Sequence, residues 1–342
     1  MLLENIEQVG KVINVSASVG YDHLFPHLFS AEQKYIHYLL GEAMYNKLLE
    51  FSNNPDSNIL ERSDMNPDFS DDFYIKVPDA QIAFARVCYL AQRSLAHLAY
   101  YEGFPLLSIF VSDAGFHRSE AETMKPLFKY QEDAIRLYYH NHGMNGLDMM
   151  LKVLEVNIEH FPEFVEQNKL LHTVIFPSTT DFNAIISIRD SRIIFMRLQQ
   201  SINTVCELNI AAILGTTNYA TFMEGMLADE KPAKVTAILP HIQRVIAYMA
   251  TTMLMEETGA ELTERGLYFE GVKGGLSMND VKMPSADNRI IALIRRNKEI
   301  SEQYIARLQK HMAENTADWG SYTNPRTYIH SRDNAGKKTY WV

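Results

Sequence analysis

The feature that most constrains the fold is a landmark used twice. LLGEAMYNKLLE at residues 39–50 returns as ILGTTNYATFME at 213–224. Each stretch has a Leu-Gly pair (Leu40-Gly41, Leu214-Gly215), a tyrosine four residues after the glycine (Tyr45, Tyr219), and an acidic residue at its end. Glycine within a helical pattern marks a bend, a break or a close backbone approach. A chain that repeats such a break with the same tyrosine spacing is expected to repeat the helical unit built around it.

Further landmarks follow in the same order. Apolar residues at helical spacing predict a long helix after Pro78-Asp79, stopped by Gly103, and a second over LPHIQRVIAYMATTMLMEETG, stopped by Gly259. Asp113-Ala114-Gly115 and Glu264-Arg265-Gly266 then place an acidic residue two before glycine beside β-prone residues, which predicts a tight turn. A further helix begins near Lys125 and ends near NHGMNG, with Gly143 and Gly146 as punctuation. Its counterpart runs from about Ala286 to Met312. Duplication of one unit accounts for this order economically.

The expected fold class is therefore mainly α, a duplicated helical unit with long helices and a small β-hairpin in each copy, followed by an extended C-terminal arm. The expected organisation is a first helical repeat over 1–150, a linking helix over 151–172, a second repeat over 173–312, and the arm over 313–342. Gly41, Gly115, Gly215 and Gly266 are the structural glycines. SNNPDSNILERSDMNPDFSDDFYIKVP, over 52–78, reads as a long surface loop.

Composition narrows the function. An apolar content of 46% with 22% charged residues is that of a soluble globular chain. The formal net charge of -10 argues against non-specific nucleic-acid binding by the whole surface. That charge is uneven: residues 1–150 hold 20 Asp/Glu against 11 Lys/Arg, and residues 282–342 hold 6 against 11. Opposite potentials of this kind suit head-to-side or stacked contacts between copies. The N-terminus does not read as a signal peptide, and no stretch reaches the roughly 18 uncharged apolar residues of a spanning helix. Cys88 and Cys206 fall in apolar helical patterns and read as buried thiols.

Catalytic and metal motifs are not found. His23 and His27 are four apart, but Pro26 lies between them and no third ligand is near. His140-Asn141-His142 reads as a helix C-cap, and His97 and His241 as core histidines with local hydrogen bonds. GVKGG at 271–275 lacks a phosphate-loop pattern. Asp68, Asp71 and Asp72 lack calcium-loop spacing and read as solvated charge. No catalytic, cofactor or metal residues are therefore assigned, and the chain is not expected to be an enzyme. The alternative is an all-helical enzyme or ligand-binding protein with a non-sequential site. His117, His142 and the Asp68–Asp72 loop are its first suspects. A cytoplasmic partner-binding scaffold is a third class.

The stretch after residue 312 loses helical periodicity but keeps both tryptophans of the chain. Trp319, Tyr322, Arg326, Tyr328, Tyr340 and Trp341 are the residue types that dominate interface hot spots, and docking onto a neighbour is the expected role. Folding back on the same domain and stacking along a nucleic-acid strand are the alternatives.

These residues also carry a resemblance. Leu39-Leu40-Gly41 with Tyr45 and Leu48-Leu49, the Val111–Gly115 turn, and Phe128-Lys129-Tyr130-Gln131 resemble a protein family of Bacteroidetes phages and prophages. That family resembles the helical head–tail connector, adaptor or ring proteins of tailed phages, as in crAss-like phages. The resemblance implies a homo-oligomeric ring, a dodecamer in such connectors, attached to the portal and meeting tail or further ring proteins. It implies a channel through which DNA passes without sequence-specific binding, no membrane and no cofactor. The place implied is the head–tail junction of the virion, assembled in the host bacterial cytoplasm. The simplest connectors have one Leu-Gly unit; this chain has two.

Overall fold

The structure is a computed structural model. It describes residues 1–13, 20–54, 76–107, 109–112, 115–118, 128–167, 175–228, 230–258, 261–263, 266–268 and 288–320. The chain divides into two compact units, Met1–Leu171 and His172–Val342.

In the first unit α1 (Ile6–Val12) and α2 (Tyr21–Ala31) lead into a π-helical turn, Glu32–His37. A short α3 (Tyr38–Leu40) then stops at Gly41, and α4 (Glu42–Ser52) leaves in a new direction. Two long helices follow, α5 (Ala80–Leu107) and α6 (Lys129–Val156), then α7 (Pro162–Gln167). The second unit opens with α8 (Thr179–Asn183) and α9 (Arg192–Val205). It repeats the rest: a π-helical turn Cys206–Ile210, α10 (Ala211–Leu214), Gly215, α11 (Thr216–Leu227), α12 (Ala233–Thr258), α13 (Asn288–Glu314) and α14 (Thr316–Trp319).

Both glycines have backbone angles other residues avoid: φ 72°, ψ 165° at Gly41 and φ 79°, ψ 153° at Gly215. This region is essentially restricted to glycine, because a Cβ would clash with its own backbone. Each glycine closes the helix before it, through Gly41 N–H to His37 O and Gly215 N–H to Ala211 O, both 2.9 Å. Each also opens the next, accepting from Tyr45 N–H at 3.0 Å and Tyr219 N–H at 2.9 Å.

The match between copies reaches beyond the twelve-residue landmark. At the constant offset that takes Gly41 to Gly215, Leu24 meets Leu198, Leu28 meets Ile202, Ile36 meets Ile210, Leu40 meets Leu214 and Leu48 meets Phe222. All ten are buried. Each unit also has an aromatic corner. Phe51–Phe84–Phe161 rings lie 5.7 and 4.9 Å apart in the first, and Phe176–Phe182–Phe195 rings 5.0 and 5.6 Å apart in the second.

The expected fold class needs two corrections. The fold is mainly α-helical, and the β-hairpin expected as a building element of each copy is no part of it. Among the described residues between the long helices, the backbone forms ladders of four residue pairs (Ile109–Ser112 with Gly115–Arg118) and three (Glu261–Thr263 with Gly266–Tyr268). A two-strand ribbon with no third strand makes no sheet layer. The described cores are built by helices and the loops at their ends. The arm is also not extended at its start. α13 continues to Glu314, and α14 follows it with Trp319 only 3% exposed in the second unit's own core.

Helix ends differ too. α5 passes Gly103 and ends at Leu107, and α6 runs unbroken through Gly143 and Gly146. Those two glycines are buried against Leu98 and Ser94 of α5, where a Cβ would overlap a side chain. They serve close helix approach rather than termination. His140 and His142 therefore lie within α6 and not at a C-cap. The segment 151–172, expected as a linking helix, holds the last turns of α6, a 3₁₀ turn (Ile158–His160) and α7, all within the first unit.

Gly215 has open space around a built Cβ, so its substitution tests backbone conformation alone. Gly215→Ala is expected to lower the stability of the second unit by about 1–3 kcal/mol, read as a shifted urea midpoint. Trp319→Ala is expected to cost about 3–5 kcal/mol in the same unit. An unchanged midpoint for Trp319→Ala would restore the extended arm.

Candidate interaction surfaces

The junction around each glycine is the most organised polar feature of the first unit. Glu32, the first residue of its π-helical turn, is 1% exposed and accepts from Leu2 N–H at 2.7 Å. Burial raises its carboxyl above the usual range, partly offset by the hydrogen bonds from Leu2 and the Tyr45 hydroxyl. Burial, followed by the Glu32 charge, raises the Tyr45 phenol in turn. In the second unit the same place in the π-helical turn is held by buried Cys206. Tyr219 is raised by burial first and then by Cys206 and Glu207. The conserved spacing from glycine to tyrosine thus returns each ring to the start of its own π-helical turn.

Both cysteines are poor nucleophiles. Burial pushes the Cys88 thiol up to about 11, and burial with Glu207 pushes Cys206 up to about 12, so neither holds appreciable thiolate near neutral pH.

His142 belongs to an aromatic stack on the α5–α6 pair. Its ring lies 4.1 Å from Tyr138 and 5.5 Å from buried His97, which bonds Arg93 O through Nδ1 at 2.8 Å. Tyr100 stacks on Tyr139 at 5.2 Å, and Arg136 lies over Tyr101 at 5.0 Å. His117 lies in the second strand of the first ladder, and Asp68, Asp71, Asp72 and residues 271–275 lie outside the described residues. Among the described residues no three His, Cys, Asp or Glu side chains are grouped to hold a metal ion. No described helix is long and apolar enough to cross a membrane.

Of the six residues assigned to intersubunit contact, Trp319 is corrected: it is a core residue. Its carbonyl accepts from Asn218 Nδ2 at 3.1 Å, and Lys234 lies 5.5 Å from its ring. Burial of a large aromatic surface outweighs the extended arrangement that lost periodicity implied. Tyr322, Arg326, Tyr328, Tyr340 and Trp341 lie outside the described residues. Of the structural glycines, Gly41 and Gly215 form the junctions, and Gly115 and Gly266 face Ser112 and Thr263 in the short ladders.

The sequence reading missed a second apolar face on α2. Leu24, Leu28 and Ala31 are buried, yet Phe25 and Phe29 stand 45% and 54% exposed on the other side. Their rings and that of Tyr21 form a file with centroid separations of 6.1 and 6.5 Å. The i, i+4, i+8 spacing was present in the sequence beside the core pattern. At the matching positions the second unit has Gln199 and Asn203, so packing of the repeated unit does not require this file. Tyr38, Phe128 and Tyr130 are also exposed on the first unit, and Phe128 stacks on Tyr130 at 5.9 Å.

A different surface lines the seam between α12 and α13. Tyr248 stacks on Tyr304 at 6.0 Å, Arg244 and Arg307 lie 5.7 and 5.3 Å from the Tyr304 ring, and His241 and His311 rings are 5.8 Å apart. Each helix contributes His, Arg and Tyr at three- and four-residue steps, which share one helical face. His241 Nδ1 is buried without a hydrogen-bond partner. Burial depresses its imidazole below the usual range, and His311, Arg244 and Arg307 depress it further.

A family model described as a family of unknown function (DUF6712) matches residues 36–173 and again 210–332. The chain belongs to that family. Each match begins within or at the end of a π-helical turn, just before the Leu-Gly landmark, so the family unit occurs twice in this chain. Neither a curated protein nor a solved structure matches it.

The depressed His241 imidazole fixes a sign for acid sensitivity. As pH falls below about 6.5 the unfolded chain takes up a proton that the folded one resists, so stability present above that pH is lost. The melting midpoint of the second unit is expected to fall between pH 7.5 and 5.5, and to fall less in His241→Asn. Equal slopes would show that this imidazole does not set the sensitivity.

Proposed function

We propose that this protein is a structural head–tail connector or adaptor of a tailed bacteriophage, acting in a homo-oligomeric ring, a dodecamer as in the connectors it resembles, between portal and tail. In this reading DNA passes through the channel without sequence-specific contact, and the protein works at the head–tail junction of the virion without catalysis or a cofactor. The observation that carries it is the exposed Phe25–Phe29 pair, continued by the half-buried Tyr21 ring, on a helix whose other face already builds the core. Single exposed apolar residues are ordinary, but aligned rings on a second helix face are the surface of a protein that becomes covered on assembly. Duplication of the family unit fits the same role, because a repeated unit supplies two related bodies per subunit. The resemblance to connector proteins supplies the virion setting.

Tyr322, Arg326, Tyr328, Tyr340 and Trp341 are the proposed grip on a neighbouring subunit. The helical-enzyme alternative gains no comparable feature, since His142 is engaged in an aromatic stack and both thiols are pushed up.

Native mass spectrometry and negative-stain images of the pure protein, alone and with portal, are expected to show rings. Phe25→Ser/Phe29→Ser and truncation after Gly320 are each expected to reduce ring formation with little change in melting midpoint. A wild-type chain that stays monomeric in both settings would contradict the assignment.

A further inference from the structure

Two arginines in the second unit meet no carboxylate among the described residues. Arg244 and Arg307 share the Tyr304 ring, and among the described residues Arg244 donates from Nη1 to Pro240 O, one turn back in its own helix, at 2.9 Å. Neither forms an ion pair among the described residues. The lysines nearby do: Lys298 meets Glu256 at 2.6 Å, and Lys310 meets Glu314 at 3.7 Å. A guanidinium stacked on an aromatic ring keeps its donor edge free for a planar anion such as a carboxylate. Both sit 5.7 Å or less from one ring centroid. Their charges are therefore no more than about 11 Å apart.

The first unit offers the complement. α4 exposes Glu42, Asn46 and Glu50 at i, i+4 and i+8. Lys47, beside them, is taken by Glu163. Neither Glu42 nor Glu50 has an ion-pair partner among the described residues. Eight residues of helix separate the two carboxylates by about 12 Å along the axis, on one exposed face of α4. The charge distribution has the same polarity, with 20 Asp/Glu against 11 Lys/Arg in residues 1–150 and 6 against 11 in residues 282–342.

We propose that the α12/α13 seam of one chain docks on the α4 face of a second copy, with Arg244 and Arg307 meeting Glu42 and Glu50. The contact is heterologous, one patch against a different patch, so it propagates from copy to copy and closes into a ring when the rotation permits. It rests on the ring reading above and names the surfaces that reading leaves open. Electrostatic complementarity of this kind sets register and partner choice more than raw affinity.

The test uses the full-length chain in three forms: wild type, Arg244→Glu/Arg307→Glu, and Glu42→Arg/Glu50→Arg. Circular dichroism melts establish that all three fold, and sedimentation velocity at low ionic strength reads association. Each variant alone is expected to associate at least about tenfold more weakly than wild type. An equimolar mixture of the two variants is expected to recover association, because each reversed patch then meets its complement. Variants that assemble as well as wild type would overturn the proposal and leave the ring reading standing. A monomeric wild type would remove both. Loss in each variant without recovery in the mixture would also overturn it, since α4 would then not be the receiver. So would a seam variant that loses affinity for a duplex DNA oligonucleotide while its assembly is unchanged, because the arginines would then serve phosphates.

Discussion

One backbone constraint organises both halves of this protein. A helix that ends at a glycine with φ near +75° and ψ near 160° cannot continue in its former direction, and only glycine holds that conformation without strain. The π-helical turn one short helical turn before it inserts an extra residue into the spiral. Leu40 and Leu214, which follow it, are buried in their cores. Turn, leucine, glycine and tyrosine then act as a unit: the break sets the direction of α4 or α11, and the tyrosine ring ties the new helix to the start of the turn. The long helix pair of each unit completes the enclosure.

The two copies solve the same geometric problem with different chemistry. In the first, buried Glu32 binds both Tyr45 and the Leu2 backbone amide, so the carboxylate draws the N-terminal segment into the core as well. A buried carboxylate has a high desolvation cost and persists only when its oxygens are satisfied. In the second, the smaller Cys206 lies beside Tyr219 and needs no such partner. Divergence continues outside the junction, where Phe25 and Phe29 replace the polar Gln199 and Asn203. The copies therefore share their apolar core positions along α2 and α9 and differ elsewhere: exposed Phe25 meets Gln199, which is buried and donates to Phe195 O.

The paired landmark was legible because a glycine break and a tyrosine at fixed spacing are local in sequence. The core positions of α2 and α9 were legible by helical period. The π-helical turns were not, because the extra residue shifts the period by one without changing composition. Gly143 and Gly146 resemble helix stops in sequence, and only the presence of α5 reveals them as sites of close approach. Trp319 follows a region that has lost its apolar pattern, so its burial depends on Asn218 and Lys234, a long way back along the chain. The His-Arg-Tyr seam was hidden for a related reason: each helix alone carries three ordinary side chains, and their meaning lies in the pairing.

The central claim is that each copy closes its own core around its own glycine junction. Hydrogen–deuterium exchange of the full chain with Leu40→Ala, and separately with Leu214→Ala, tests this most directly, since local and global opening are read segment by segment. The account predicts faster exchange through α2–α6 for the first substitution and through α9–α13 for the second, with the other unit unchanged. Acceleration of both units by either substitution would contradict it.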